Sequence, residues 1–191
     1  MAVAEVAAPP GGSLTLVCGP SGGGKSRWAE HLASGSGLQV VYLATGPLRA
    51  EDGEWQRRLE RHRRRRPAHW RSLEVGGQLC EGLHTLEPGQ LGLVDSLGTW
   101  VSAWLDSAEG EWQDLCSQLL TALTACPVPL LLVCEEVGWG VVPATAAGGR
   151  FRTRMGLLVQ ELMARSDGAW LVLAGRALDL GRLSLPVPQE D

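Results

Sequence analysis

Gly19-Pro20-Ser21-Gly22-Gly23-Gly24-Lys25-Ser26 follows an apolar run, Leu14 to Cys18, and leads into a stretch of helical spacing, Ser26 to Ala33. This is the full phosphate-loop pattern, G-x-x-x-x-G-K-[ST]. Its glycines leave backbone N–H groups free to wrap phosphate oxygens; Lys25 would meet the β and γ oxygens, and Ser26 would ligate magnesium. The following helix adds the positive end of its dipole to the same anion. A glycine-rich turn with no ligand is the competing reading. Against it stand the strand before, the helix after and one compositional fact: the chain holds sixteen arginines and a single lysine, and the lysine is in this loop. A compact ammonium on a flexible stem suits phosphate oxygens there better than a planar guanidinium.

Outward from the loop, apolar runs flanked by turn residues recur at Leu38 to Ala44, Leu91 to Asp95, Pro129 to Cys134 and Ala169 to Ala174, each reading as a buried strand. Helical spacing covers Glu51 to Arg64, Gly76 to Leu86, Leu97 to Leu105, Glu109 to Ala125 and Arg152 to Ala164. The alternation predicts an α/β P-loop NTPase fold, with a mainly parallel sheet and helices on both faces. Arg71 to Val75 adds a short edge strand, and Gly175 to Asp191 resists assignment.

A chain of 191 residues with 45% hydrophobic content fits one domain. The expected organisation is a disordered lead-in over 1–12, a single domain over 13–183 and a flexible tail over 184–191. No run of about 18 apolar residues could span a bilayer, and the N-terminus lacks the basic region of a signal peptide. Five cysteines match neither a zinc site nor a disulfide framework and read as thiols of a reducing compartment. A cytoplasmic location is therefore expected. The net charge of -4 argues against a nucleic-acid partner.

Two further features carry chemistry. Asp95 ends the run Leu91 to Val94, and a parallel sheet delivers strand C-termini to one crevice, so it should face the phosphate loop and hold magnesium with Ser26. Alternatively it is the N-cap of the helix starting at Leu97. The other feature is the cluster of seven arginines at positions 57 to 66, with His62 inside it. Such a run is ordinarily a solvated helix face. With a histidine inside, it also suits triphosphate chemistry, since guanidiniums neutralise phosphate and a neutral imidazole can attack phosphorus.

With these residues in view, the chain resembles the bifunctional adenosylcobinamide kinase and adenosylcobinamide-phosphate guanylyltransferase family of cobalamin biosynthesis. The likeness runs from Leu14 to about Leu180. It is carried by the phosphate loop with Arg27, Val41-Tyr42-Leu43-Ala44-Thr45, Arg58-Leu59-x-x-His62-x-x-x-Arg66-Pro67-x-x-Trp70, Glu74, Val94-Asp95-Ser96-Leu97, Glu136-Val137-Gly138-Trp139-Gly140-Val141-Val142-Pro143, Phe151-Arg152 and Val172-Leu173-Ala174-Gly175. The resemblance implies a RecA-like fold and a homotrimer with active sites between subunits. It also implies two reactions: phosphorylation of adenosylcobinamide from ATP or GTP, and transfer of GMP from GTP onto that phosphate through a guanylylated histidine. By the same resemblance His62 is the guanylylated residue, Lys25 serves the kinase step, and Arg63, Arg64, Arg65 and Arg66 line the GTP site. Thr45, Gly46, Glu74 and Asp95 match positions that contact the guanine nucleotide.

The chain departs from the family pattern at Ala103, Glu135, Thr153, Leu157 and Val159, and at Ala144-Thr145. Two other readings therefore stay open: a diverged nucleotide-binding homologue that keeps one activity or a sensing role, and a P-loop kinase for another small alcohol. The intact His62 element argues against the second. Trp100, Trp104, Trp139 and Trp170 are more large apolar surface than one small core readily hides, which adds to the expectation of a homo-oligomer.

Overall fold

A computed structural model describes residues 12–47 and 53–188. Residues 1–11, 48–52 and 189–191, which include most of the lead-in and the end of the tail, lie outside the described residues. One seven-stranded sheet organises the rest, in the order β3-β2-β4-β5-β1-β6-β7. The strands are β1 (Leu14–Gly19), β2 (Gln39–Ala44), β3 (Arg71–Glu74), β4 (Gln90–Asp95), β5 (Leu130–Glu135), β6 (Gly168–Leu173) and β7 (Arg176–Asp179). All pairings are parallel except β6 with β7.

Side-chain alternation along the central strands feeds two cores. Leu14, Leu16, Cys18, Leu130, Leu132 and Cys134 point to one face, where they meet α3 (Leu79–His84), α4 (Leu97–Ala103), α5 (Glu109–Ala125) and α6 (Ala146–Met163). Val17, Val40, Tyr42, Leu131 and Val133 point to the other, against Ala29, Leu32 and Ala33 of α1 (Lys25–Gly35). Strands buried on both faces have to be apolar throughout, and that explains why they read as unbroken runs.

The structure corrects several expected boundaries. α3 is shorter than its spacing suggested: Gly77 is pressed against the Trp104 indole, and its carbonyl accepts both the Trp100 and Trp104 Nε1–H groups, so 76–78 form a turn. α6 starts six residues before Arg152, capped by the Thr145 hydroxyl, which accepts from the Gly148 N–H; Gly148 and Gly149 hide this first turn from sequence. α2 (Gly53–Arg65) stops one residue before the end of the arginine cluster. β7 and the short α7 (Leu180–Leu183) were not anticipated. The hairpin into β7 turns on Ala174 and Gly175, both at positive φ, and alanine rarely signals that conformation. Residues 184–188 are exposed and without regular structure.

The phosphate loop is locked by its glycines. Gly19 sits at φ 151, where a Cβ would collide with the Val172 carbonyl oxygen on the neighbouring strand. Gly19→Ala is therefore expected to lower stability by about 2 kcal/mol or more. Chemical denaturation checks this, and an unchanged midpoint would mean that the loop relaxes freely.

Candidate active site

A cavity of about 350 Å³ opens at the C-terminal ends of the parallel strands. Three groups of residues wall it. Ser21, Gly22, Gly24, Lys25 and Ser26 come from the phosphate loop; Arg61, His62 and Arg65 from α2, with Arg66 just past its end; Tyr42, Asp95 and Glu135 from β2, β4 and β5. β5 lies between β1 and β4 in the sheet, so Glu135 is set between the phosphate loop and Asp95.

Gly24 takes φ 109 at the N-cap of α1, freeing the loop to close over an anion, and Gly22 is also left-handed at φ 73. Lys25 is 8% exposed, and its ammonium donates to the Pro20 carbonyl at 3.0 Å. That contact braces the loop while keeping the side chain at the cavity wall.

Asp95 is the hub. Its Oδ2 accepts from the Tyr42 hydroxyl at 2.5 Å and stands 3.6 Å from His62 Nδ1, with Ser26 on the same cavity wall. Burial pushes the Asp95 carboxyl up, but the His62, Tyr42 and Ser26 contacts outweigh it and hold the group below its ordinary range. Tyr42 goes the other way: burial and then the Asp95 charge raise its hydroxyl well above normal, so it stays a donor. The N-cap of α4 is Ser96, not Asp95, so the capping alternative for Asp95 falls away.

α2 is held over the cavity by two ion pairs. Arg65 grips Glu30 of α1 with two bonds, at 3.1 and 3.3 Å, and Arg63 pairs with Glu74 of β3 at 3.0 Å. Arg66 lies over the Tyr42 ring at 3.3 Å. Its Nε is buried without a partner among the described residues, which leaves hydrogen-bonding capacity inside the site. Arg64 pairs with Glu60 on the outer face of the helix.

The cluster thus divides by helical phase. Positions 61, 62, 65 and 66 share one face, whereas 63 and 64 point away. The structure therefore does not bring Arg63, Arg64 or Glu74 into the cavity wall. Thr45 is also spent on the protein: its hydroxyl bonds the Ser96 carbonyl and the Thr99 hydroxyl, each at 2.6 Å, and it is 1% exposed. Gly46 lines the cavity. Gly19, Pro20 and Gly23 shape the loop from behind; Gly23 N–H bonds the Pro20 carbonyl, and its own carbonyl accepts from Gly175.

Comparison with known proteins decides the lineage. The family described as cobinamide kinase / cobinamide phosphate guanyltransferase (CobU) matches residues 15–180. The chain belongs to this family.

Among CobU relatives, the bifunctional adenosylcobalamin biosynthesis protein CobP of Pseudomonas aeruginosa is 39% identical over 171 residues, covering 86% of this chain and 95% of that protein. The bifunctional adenosylcobalamin biosynthesis protein CobU of Escherichia coli is 34% identical over 177 residues, covering 85% and 96%. Solved structures share the fold alone. A protein of Pyrococcus horikoshii OT3 superposes with a TM-score of 0.56 at 9% identity, over 90% of this chain and 87% of that one. A prototypical ATPase from a type III secretion system gives 0.55 at 14% identity, over 92% of this chain and 59% of that one. The fold is thus α/β, a mainly parallel sheet with the phosphate loop at the end of β1, and it is shared with that ATPase.

Within the CobU frame, the residues that sequence reasoning missed are Tyr42 and Glu135. Tyr42 was legible only as part of a buried strand, and Glu135 only as a departure from pattern. A strand-end position beside the phosphate-loop strand is the signal that marks Glu135, whereas Tyr42 lies near the end of β2, next to the strand that ends in Asp95. The CobU departures at Thr153, Leu157 and Val159 lie on α6, away from the cavity wall.

Proposed function

We propose that this chain carries out both CobU reactions, phosphorylating the hydroxyl of adenosylcobinamide from ATP or GTP and then transferring GMP from GTP to give adenosylcobinamide-GDP. The observation that carries the reading is His62 facing Asp95 inside the cavity that the phosphate loop also lines.

Lys25 and the loop N–H groups hold the β and γ phosphates, and α2 presents His62 toward the α phosphate. With Nδ1 turned to Asp95, Nε2 is the nitrogen free to attack. Its lone pair forms a bond to the α phosphorus, the bond to the bridging oxygen breaks, and pyrophosphate leaves with its charge met by Arg65 and Arg66. The substrate phosphate oxygen then attacks the same phosphorus, the N–P bond breaks and His62 is restored. Gly46 sits at the cavity wall, where it can meet the nucleotide.

The Ser26 hydroxyl and the Asp95 carboxylate are adjacent hard oxygen donors, a set that suits magnesium, and these are the residues that would hold it. When bound, the ion would neutralise phosphate charge. Product analysis tests the reading: adenosylcobinamide with ATP, GTP and magnesium should yield first the phosphate and then the GDP derivative. Recovery of neither product would refute it.

The same proposal includes a cytoplasmic homotrimer. No described helix is long and apolar enough to cross a membrane. The four tryptophans do not form the exposed apolar surface expected of them: Trp100 is buried, Trp104 and Trp170 are partly buried, and only Trp139 of the four is exposed, at 59%. Val141 and Val142, close to Trp139 in the chain, are exposed as well, and this exposed apolar segment supports assembly. Light scattering at micromolar concentration should return about three times the 20.4 kDa chain mass. A mass of one chain would rule assembly out.

A further inference from the structure

The structure assigns Glu135 as the proton acceptor for the substrate hydroxyl in the phosphorylation step, an assignment that rests on the kinase half of the function proposed above. Asp95 and Glu135 are the two carboxylates in the cavity wall among the described residues. Asp95 is committed to the Tyr42 hydroxyl and to His62, and it is the carboxylate assigned to magnesium above. His62 is needed as the nucleophile of the other reaction. Glu135 remains.

Its placement fits the task. β5 ends between the strand that leads into the phosphate loop and the strand that ends in Asp95, with Glu135 in register with Gly19. The carboxylate therefore lies beside Lys25, at the end of the site where the transferred phosphate is held. One oxygen, Oε2, accepts the Gly98 N–H at 2.7 Å, so the side chain is fixed in position. Gly98 has no Cβ to displace it; a Cβ there would collide with the carboxylate. Burial raises the Glu135 carboxyl above its ordinary range, only partly offset by Ser96 and Lys25, in the direction that suits a proton acceptor.

The step balances. The substrate O–H proton passes to the Glu135 carboxylate while the oxygen forms a bond to the γ phosphorus. The bond from that phosphorus to the β–γ bridging oxygen breaks, and the electron pair leaves on the nucleoside diphosphate. The proton then returns to solvent.

Glu135→Gln is the decisive variant, because the amide keeps the shape and can still accept the Gly98 N–H. Its phosphorylation kcat should fall about 10²- to 10⁴-fold, with little change in the KM for nucleotide. Formation of the GMP adduct on His62 should fall far less than kinase turnover, and an adduct that still forms reports that the fold and the phosphate loop are intact. Glu135→Ala should be equally slow and should recover part of its rate with added formate. Wild-type kcat in Glu135→Gln, or equal loss of kinase turnover and adduct formation in both variants with no formate rescue, would overturn the assignment and leave only a structural role. A wild-type protein that forms the adduct but never phosphorylates adenosylcobinamide would instead remove the kinase reading, and the assignment with it.

Discussion

His62→Ala should abolish the GMP adduct and depress GMP transfer by roughly 10³-fold or more, while phosphorylation of adenosylcobinamide continues. The expectation rests on how α2 is held. Its anchors are Arg65 on Glu30 and Arg63 on Glu74, so deleting the imidazole leaves the helix in place. The deletion removes the nitrogen and nothing that the phosphate loop needs. Asp95 loses one contact but keeps Tyr42. His69, exposed and outside the cavity wall, is the natural control: His69→Ala should form the adduct normally. Radiolabel retention on denatured protein, measured beside a kinase assay on the same preparations, separates the outcomes. An adduct that survived His62→Ala and disappeared in His69→Ala would move the nucleophile to the other histidine.

Lys25→Ala should be the broader lesion. Kinase turnover should fall about 10²- to 10³-fold, the cost of removing one charged group aimed at the transferred phosphate. Because Lys25 and His62 line one cavity, adduct formation should slow in the same variant, in contrast to the selective loss in His62→Ala. The side chain is more enclosed than the loop pattern alone suggests. Its bond to the Pro20 carbonyl is lost with it, at a cost of about 1 kcal/mol in stability. Circular dichroism should still show a folded protein. Near-normal kinase activity in Lys25→Ala would mean that phosphate is transferred elsewhere.

The parts of this architecture that sequence exposes are those in which one physical constraint acts alone. Strands buried on both faces must be apolar throughout, so β1, β2, β4, β5 and β6 were visible as runs, and the phosphate loop was visible because only glycines tolerate its backbone. Asp95 was legible as a strand-end carboxylate. Its contacts with Tyr42 and His62 were not, since they join residues far apart in the chain. The arginine cluster shows the limit most clearly. Composition makes Arg63 to Arg66 look alike, but helical phase sends Arg65 and Arg66 to the cavity wall while Arg63 and Arg64 pair outside it. Applying the 3.6-residue period from His62 would have separated them. β7 was hidden because its turn places an alanine at positive φ. Glu135 was hidden because a strand-terminal glutamate has no local pattern; only the neighbouring strands reveal what it faces.

The central claim is that His62 is a nucleophile served by the phosphate loop. The most direct measurement is incubation of the wild-type protein with α-labelled GTP and magnesium, followed by acid and base treatment and peptide mapping by mass spectrometry. The account predicts one GMP per chain on the peptide containing His62, released by acid and stable to base as a phosphoramidate is. A protein that binds GTP under these conditions and carries no adduct, or carries it on any other residue, would contradict the account.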